Sequence, residues 1–319
     1  MPLPRQFLPT LALALFSTLA LAPLLPAADA PSPALPPTST SPSTPPAAPA
    51  PGSLTAQQVV ERLQRQTGLE WRGPTVDTFK AGDPTTPVKG IALVMMSTHE
   101  VLQRAVAAGA NLIITHEPTY YSGQDNRAPL EAENDQVLAT KQAYIKEHGL
   151  VIFRFHDYMH RLQPDMVVTG VIKALGWQQY QQNQGPKLII PETTLEDLAA
   201  QISAKLKIKT LRVVGDPKLK ITKLGFSPGA SGFAANRRLL AADDVEALLF
   251  GEATEWETIE YGTDAIAQGR KKALIILGHI PSEEAGMIEC TTWLKAFVPE
   301  VPVQFIATPE PFWYPAKNP

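Results

Sequence analysis

Three of the six histidines follow short apolar runs that are typical of buried strands. His116 comes directly after NLIIT, His156 directly after VIFRF, and His279 after ALIIL and one glycine. Ligands of open α/β sheets bind outside the carboxyl ends of the strands. If the three strands are neighbours, their imidazoles would therefore converge at one edge of a sheet.

Each of these histidines has a second donor of a metal-binding type nearby. Glu117 is the next residue after the first of them, His160 lies four residues after the second, and Glu283 lies four residues after the third. Positions i and i+4 of a helical turn share a face, so each such pair can bind one ion. Imidazole and carboxylate together suit zinc, iron, manganese or nickel. Six donors exceed what one tetrahedral ion needs, whereas two bridged ions would use them.

A second interpretation stays open on spacing alone. A strand-end histidine is commonly a hydrogen-bonded structural residue, and the H-x3-H pattern also occurs on exposed helices. His99 and His148 stand at the ends of helical stretches and are expected to bind no metal. Cys290 is the only cysteine, which excludes a disulfide framework and a cysteine-rich zinc site. Any metal must therefore be bound by His, Asp and Glu.

The elements that must position these residues alternate along the chain. Strands are predicted at 91–96, 111–115, 151–155, 187–190, 211–214, 247–250, 273–277 and 303–307. Amphipathic helical stretches separate them, including one over 130–149, and this alternation predicts a layered α/β fold. Segments 151–160 and 273–283 share one design, a strand followed by histidine and a second donor, which suggests two halves facing a shared site. Trp256 and Trp293 are expected in the core.

The bulk composition restricts the class of partner. The formal net charge is −3, and no stripe of Lys and Arg is present, so nucleic acid is not expected as a partner. Hydrophobic residues make up 44% of the chain, which is enough to bury a substantial core.

The first fifty residues have a different composition from the rest. Residues 1–30 resemble a secretory signal peptide, with Arg5, an apolar run over 11–25 and Ala28-Asp29-Ala30 as a small-x-small cleavage pattern. The alternative is a membrane anchor, but the apolar run is shorter than a spanning helix of about 20 residues. Residues 31–53, rich in Pro, Ser, Thr and Ala, are predicted to be a disordered linker before a folded region at 54–319. We therefore expect an exported protein, periplasmic or extracellular, with no stable membrane insertion after cleavage.

Four motifs in order resemble a known family. NLIITHEP (111–118), FRFHDYMH (153–160), FGEATEWE (250–257) and GHIPSEEAG (278–286) are similar to motifs of the Nif-three-like family. Its members are also called GTP cyclohydrolase I type 2 homologues, or dinuclear metal-centre hexameric proteins. The resemblance spans roughly residues 55–310, nearly the whole folded region.

The resemblance implies two α/β lobes with a dinuclear metal site between them, often assembled into a hexamer. Lobe one would cover about 54–180, a middle segment about 185–218 and lobe two about 219–319. The implied ligands of two zinc, iron or manganese ions are His116, Glu117, His156, His160, His279 and Glu283.

Two of these positions depart from the family pattern. Glu117 stands where the family usually has a second histidine, and His160 stands where it usually has aspartate. The number of donors is unchanged, because an imidazole and a carboxylate have traded places. The exchange leaves open which metal is preferred and which ligands each ion takes.

The resemblance leaves two functions open. One is a metal-dependent hydrolase of a small phosphoester, nucleotide-like or amide substrate, in which Glu252 or Glu117 would handle the proton. Glu252 belongs to a family motif near the metals and could instead only accept a hydrogen bond from a ligand. The other function is non-catalytic metal binding or delivery, or a scaffold with structural metals. In both, the chain is expected to form a homo-oligomer, with a hexamer as the family precedent.

The leader yields a first testable prediction. Produced in its native host, the mature protein should begin between about residues 27 and 32, because the signal peptidase acts after small-x-small patterns. N-terminal mass spectrometry measures this directly. A cytoplasmic pool that retains Met1 would contradict the prediction.

Overall fold

Two five-stranded sheets organise residues 54–315, the part of the chain that this computed structural model describes. The strands are β1 (Phe79–Ala81), β2 (Ile91–Val94), β3 (Leu112–Thr115), β4 (Val151–Arg154), β5 (Lys187–Thr194), β6 (Arg212–Val214), β7 (Lys220–Ser227), β8 (Ala247–Phe250), β9 (Ala273–Ile276) and β10 (Val303–Phe305). The predicted signal peptide at 1–30 and linker at 31–53 lie outside the described residues.

Helices separate most of these strands. They are α1 (Ala56–Gln66), α2 (His99–Ala107), α3 (Ala128–Ala132), α4 (Gln136–Glu147), α5 (Asp157–Arg161), α6 (Met166–Leu175), α7 (Leu195–Leu206), α8 (Gly232–Ala241), α9 (Glu260–Ala267) and α10 (His279–Lys295). A π-helical turn, Glu255–Ile259, leads into α9. Within 54–315, none of these helices combines the length and the apolar character that a membrane crossing requires. The predicted α/β class with two lobes is confirmed.

The first sheet has the order β1-β4-β3-β2-β10. Strands β4, β3, β2 and β10 are parallel, and β1 joins the edge antiparallel to β4. All four residues of β2, β3 and β4 are buried. Helices cover both faces of such a sheet, so its strands appear in the sequence as continuous apolar runs rather than alternating ones.

The second sheet has the order β5-β7-β8-β9-β6. Its three central strands are parallel, while β5 and β6 pair antiparallel at the two edges. The edge strands have more exposed side chains than the central strands, among them Ile189 of β5 and Val213 of β6. Strands β8 and β9 are fully buried and end directly before the segments that carry Glu252 and His279.

The predicted lobe boundaries differ from the sheets in two places. Strand β10, assigned to lobe two, pairs with β2 in the first sheet, where Ile91 N–H donates to the Pro302 carbonyl at 2.8 Å. Strands β5 and β6, assigned to a middle segment, complete the edges of the second sheet. Three-residue strands such as β6 and β10 carry little pattern of their own, so their place in a sheet is decided by unpaired backbone groups on the neighbouring strand.

Two local predictions are also corrected. The single helix expected over 130–149 is interrupted at Asn134, whose φ of 54° ends α3, and Asp135 then caps α4. Trp256 was expected in the core but is 76% exposed on the π-helical turn. Trp293 packs, as expected, against the hydrophobic core shared by the first sheet, α1 and α10, here called the first core.

Helices α6 and α10 cross at backbone distance. A Cβ built on Gly286 of α10 would lie 2.6 Å from the Val167 Cα of α6, and one built on Gly170 would lie 2.5 Å from the Ala285 carbonyl oxygen. Helix α10 starts after β9 of the second sheet, packs Met287 into the first core, and leads to β10 of the first sheet. The crossing therefore joins the two lobes.

The crossing predicts that Gly286→Ala destabilises the protein. Alanine ordinarily stabilises a helix more than glycine does. Here, however, its Cβ would collide with backbone that cannot move aside. We expect the free energy of unfolding to fall by about 1–3 kcal/mol, the usual cost of overpacking. Denaturant unfolding would measure it, with Gly123→Ala as control because nothing lies within 4 Å of that Cβ. Equal stability of the two variants would mean that the helices separate without cost.

Candidate metal centre

Six side chains predicted as ligands come together where the two sheets present the carboxyl ends of their strands. His116 and Glu117 directly follow β3, and His156 lies between β4 and α5, which carries His160. From the other sheet, β9 leads to His279 at the start of α10, and Glu283 lies one turn later. Fully buried strands end here, so the polar side chains that follow them are held by rigid backbone.

Three of the Nε2 ring nitrogens face the two carboxylates. His279 Nε2 lies 3.2 Å from Glu117 Oε1 and 3.1 Å from Glu283 Oε2. His116 Nε2 lies 3.6 Å from Glu283 Oε2, and His156 Nε2 lies 3.6 Å from Glu117 Oε1. These distances leave room for a cation between the donors.

Two overlapping groups of three side chains could each hold a metal ion. The ligand atoms of His116, His156 and His160 lie within 4.8 Å of one another, and so do those of His116, Glu117 and Glu283. The two groups share His116, which is fully buried. Among residues 54–315, the protein thus contains His and Glu groups capable of binding metal.

All four imidazoles are held from behind through Nδ1. Each Nδ1 lies 3.0–3.1 Å from an oxygen that can only accept a hydrogen bond. The pairs are His116 with the Phe155 carbonyl, His156 with Asp157, His160 with Asp165, and His279 with Glu252. An Nδ1–H that donates outward fixes the tautomer and leaves the Nε2 lone pair for a metal ion.

Two of the residues behind these imidazoles are themselves held by the chain. Asp157 orients His156, and its second oxygen accepts from the Thr75 hydroxyl and the Val76 N–H. Sequence reasoning missed Asp165, whose visible signal was its capping position before α6. Its contact with His160 depends on the turn between α5 and α6, which spacing does not reveal.

Two buried atoms of the site have no hydrogen-bond partner. They are His116 Nε2 and Glu283 Oε2, 3.6 Å apart. His279 Nε2 is 3.1 Å from the same Glu283 oxygen but is not aligned for a hydrogen bond. A buried polar atom without a partner is costly, and a metal ion would give both atoms one. The donor set and these two atoms together fit a metal.

The protonation states of the carboxylate side follow from the same contacts. Burial raises the pKa of Glu117, but the hydrogen bond from His279 and the charges of neighbouring imidazoles have the larger effect. Together they lower the pKa to about 2. Burial lowers the pKa of His279, but hydrogen bonds to Glu117 and Glu252 and the charge of Glu283 raise it to about 12. The pocket therefore demands positive charge at His279 Nε2, and a metal ion can supply that charge in place of a proton.

His116 titrates in the opposite direction from His279. Complete burial and the nearby His156 and His160 imidazoles lower the pKa of His116 well below its usual value. Its ring is therefore neutral at pH 7. A neutral imidazole and an ionised carboxylate are the forms that bind metals.

A buried guanidinium supports Glu117. Arg154, only 3% exposed, places Nη2 3.4 Å from Glu117 Oε2. The same side chain donates to the carbonyls of His116 at 3.0 Å and Gly123 at 2.7 Å. Each ligand that departs from the family pattern thus has a partner of opposite charge, Arg154 for Glu117 and Asp165 for His160.

The two residues proposed to handle a proton differ in position. Glu117 is buried, with one oxygen toward the imidazoles and the other toward Arg154. Glu252 has a side chain that is 55% exposed and uses one oxygen to accept from His279 Nδ1. This geometry makes Glu117 a candidate ligand and gives Glu252 contact with both the site and solvent.

Cavities open on both sides of His279. One of about 560 Å³ reaches Glu117, His156 and His160 and is also lined by Ser231 and Arg238. A second, of about 480 Å³, reaches Glu252 and the other face of His279. His99 and His148 lie elsewhere, at the start of α2 and the end of α4. The site is thus accessible to a small molecule.

Comparison with known proteins identifies the family. The sequence model of the Duf34/NIF3 (NGG1p interacting factor 3) family matches residues 73–311. A GTP cyclohydrolase 1 type 2 homolog of Clostridium perfringens is 23% identical over 250 residues, which are 75% of this chain and 87% of the relative. The match to the family model extends over well more than half of the chain.

Solved structures agree on the fold. A hypothetical protein of Staphylococcus aureus is 17% identical and superposes with a TM-score of 0.64 over 82% of this chain and 99% of its own. A Bacillus cereus protein related to NIF3 is 13% identical, with the same TM-score and the same coverage. With its two α/β lobes and its sequence match over residues 73–311, the chain belongs to the Duf34/NIF3 family.

Proposed function

We propose that this chain holds two divalent transition-metal ions and hydrolyses a small phosphoester, nucleotide-like or amide substrate. The observation that supports it best is the set of four imidazoles held from behind through Nδ1, three of which direct Nε2 at two buried carboxylates. A structural role for these histidines would not require every Nδ1 to be fixed while His116 Nε2 lacks a partner.

The number and kind of ions follow from the donors. Six candidate ligands exceed the needs of one four-coordinate ion, so we assign two. Five of them form the two overlapping groups, and His279 lies beside both carboxylates. Nitrogen and carboxylate oxygen donors without a thiolate favour zinc, iron or manganese. Glu117 Oε1 lies 3.6 Å from His156 Nε2 and 3.2 Å from His279 Nε2, so Glu117 would hold an ion together with either imidazole.

Divalent ions in such a site supply Lewis acidity to a phosphoryl or carbonyl oxygen and make water a stronger acid. The chain's own residues would do the rest. Arg238 lines the larger cavity and can bind an anionic substrate oxygen. Glu252, half in solvent and hydrogen-bonded to His279, can accept a proton and release it to water.

Export and assembly are part of the proposal. The leader-like residues 1–30 support action in the periplasm or outside the cell, and the family resemblance supports a homo-oligomer, such as a hexamer. GTP is scarce outside the cytoplasm, so the name carried by the relatives is a weak guide to the substrate here.

The metal site makes the central prediction. Purified protein should contain close to two transition-metal ions per chain by mass spectrometry of the metals. His156→Ala and His279→Ala should each lower that content and the melting temperature, because a ligand that binds only the folded state stabilises it by about 2.7 kcal/mol at a hundred times its Kd. His99→Ala and His148→Ala are the controls and should change neither.

Two results would count against the proposal in different ways. Protein that stays free of metal after dialysis against zinc, manganese and iron(II) would return the histidines to a structural role. Protein that binds two ions but hydrolyses no phosphoester, nucleotide or amide, with or without added metal, would instead favour metal storage or delivery.

The Arg154–Glu117 pair allows a sharper test. Arg154→Met removes the cation beside the Glu117 carboxylate and should weaken zinc binding about tenfold or more. In a Glu117→His background the same change should matter less, because a neutral imidazole needs no counter-charge. Contacts in one network typically show interaction energies of about 0.5–3 kcal/mol in such a cycle.

Zinc affinity measured against a competing chelator in the four proteins completes the cycle. Arg154 also donates to two backbone carbonyls, and that structural contribution is common to both backgrounds, so it cancels. An equal loss of affinity in both backgrounds would show that Arg154 acts only on the loop.

A further inference from the structure

Residues 310–314 are held across the second cavity instead of being packed in a core. The Glu310 carboxylate accepts hydrogen bonds from the Thr210 N–H at 3.1 Å and from the Thr210 hydroxyl. Four residues later, the Tyr314 hydroxyl donates to the Leu211 carbonyl at 3.1 Å. The segment is thus anchored at both ends to the chain that enters β6.

Three consecutive aromatic side chains of this segment are left open to solvent. Phe312 is 67% exposed, Trp313 is 75% exposed and Tyr314 is 57% exposed. Single exposed aromatics are ordinary, but a contiguous apolar patch is typical of a binding site. The family match ends at residue 311, so these three residues lie beyond the stretch that it covers.

The same three side chains line the cavity of about 480 Å³. Glu252, His279 and Pro281 line the same cavity, so the aromatic segment borders a space that also reaches the proposed metal centre. The volume lies in the range of small-molecule pockets, about 300–1,000 Å³. Mostly apolar walls with a few convergent polar groups are typical of such pockets.

We propose that this cavity binds a small molecule that carries a planar aromatic or heteroaromatic ring. The ring stacks on the aromatic side chains of residues 312–314, and the polar part of the molecule points toward Glu252 and His279. Aromatic faces attract other rings in offset or edge-on arrangements, and they accept many ring types because each has a π-face. That this molecule is the substrate rests on the proposed function, whereas ring binding itself needs no metal.

The test uses the whole protein after removal of metal with a chelator. Adenosine and 4-nitrophenol serve as ring-bearing probes and ribose 5-phosphate as a probe without a ring, each titrated by calorimetry. The two ring probes should bind, and Trp313→Ala should raise their Kd about tenfold, whereas Trp313→Phe should keep it within about threefold. Trp256→Ala is the matched control, because Trp256 is 76% exposed but does not line the cavity.

Several outcomes would overturn the proposal. Absence of binding by both ring probes would do so, as would equal effects of Trp313→Ala and Trp256→Ala. Self-association that disappears in Trp313→Ala would instead make the aromatic segment an interface between copies of this chain.

A final variant separates this proposal from the metal site. His156→Ala should lose metal but bind adenosine as the unaltered protein does, because His156 does not line this cavity. Adenosine binding in a protein that never takes up metal would support the cavity and refute the metal centre. Two bound ions without adenosine binding would support the metal centre and refute the cavity proposal.

Discussion

Buried negative charge is the constraint around which this protein is arranged. Glu117 is 8% exposed and Glu283 is 3% exposed. Ionised carboxylates withdrawn from water need compensating charge or hydrogen bonds. Arg154 supplies part of the compensating charge for Glu117. The carboxylates of Glu117, Glu252 and Glu283 also raise the pKa of His279, which keeps that imidazole protonated. A divalent cation would satisfy the same need more completely, since the remaining imidazoles are already oriented toward it.

The fold brings this charge together with little freedom. Three strand ends place His116, His156 and His279, and each is followed within a turn by a second donor. Helix α10 then crosses α6 at backbone contact, which leaves little room for the two helices to shift against each other. The glycines at the crossing, Gly170 and Gly286, therefore hold the two sets of ligands at a defined distance although neither contacts the site.

Features that depend on neighbouring residues in the sequence could be predicted, whereas features that depend on distant partners could not. Buried strands such as β3 and β9 appear as unbroken apolar runs, and the histidines follow them directly. Strand β7 was missed because KITKLGFS mixes lysines with apolar residues at a sheet that is only partly covered. The edge position of β10 depends on backbone groups far away in sequence. Two of the four Nδ1 partners, the Phe155 carbonyl and Asp165, could not be predicted for the same reason, since a backbone carbonyl carries no sequence signal and the turn before Asp165 is not visible in the spacing.

The pairing of β10 with β2 also bears on the order in which the chain can fold. The first sheet gains its final strand only after every residue of the second sheet has been synthesised. Contacts between such distant segments form slowly, because the loop between them must close first. During synthesis from the amino end, β2 keeps an open edge and the first core lacks α10 until late. The amino-terminal sheet therefore cannot be sealed until the carboxyl-terminal strand has been made, so the stability of the first half of the chain depends on its last strand.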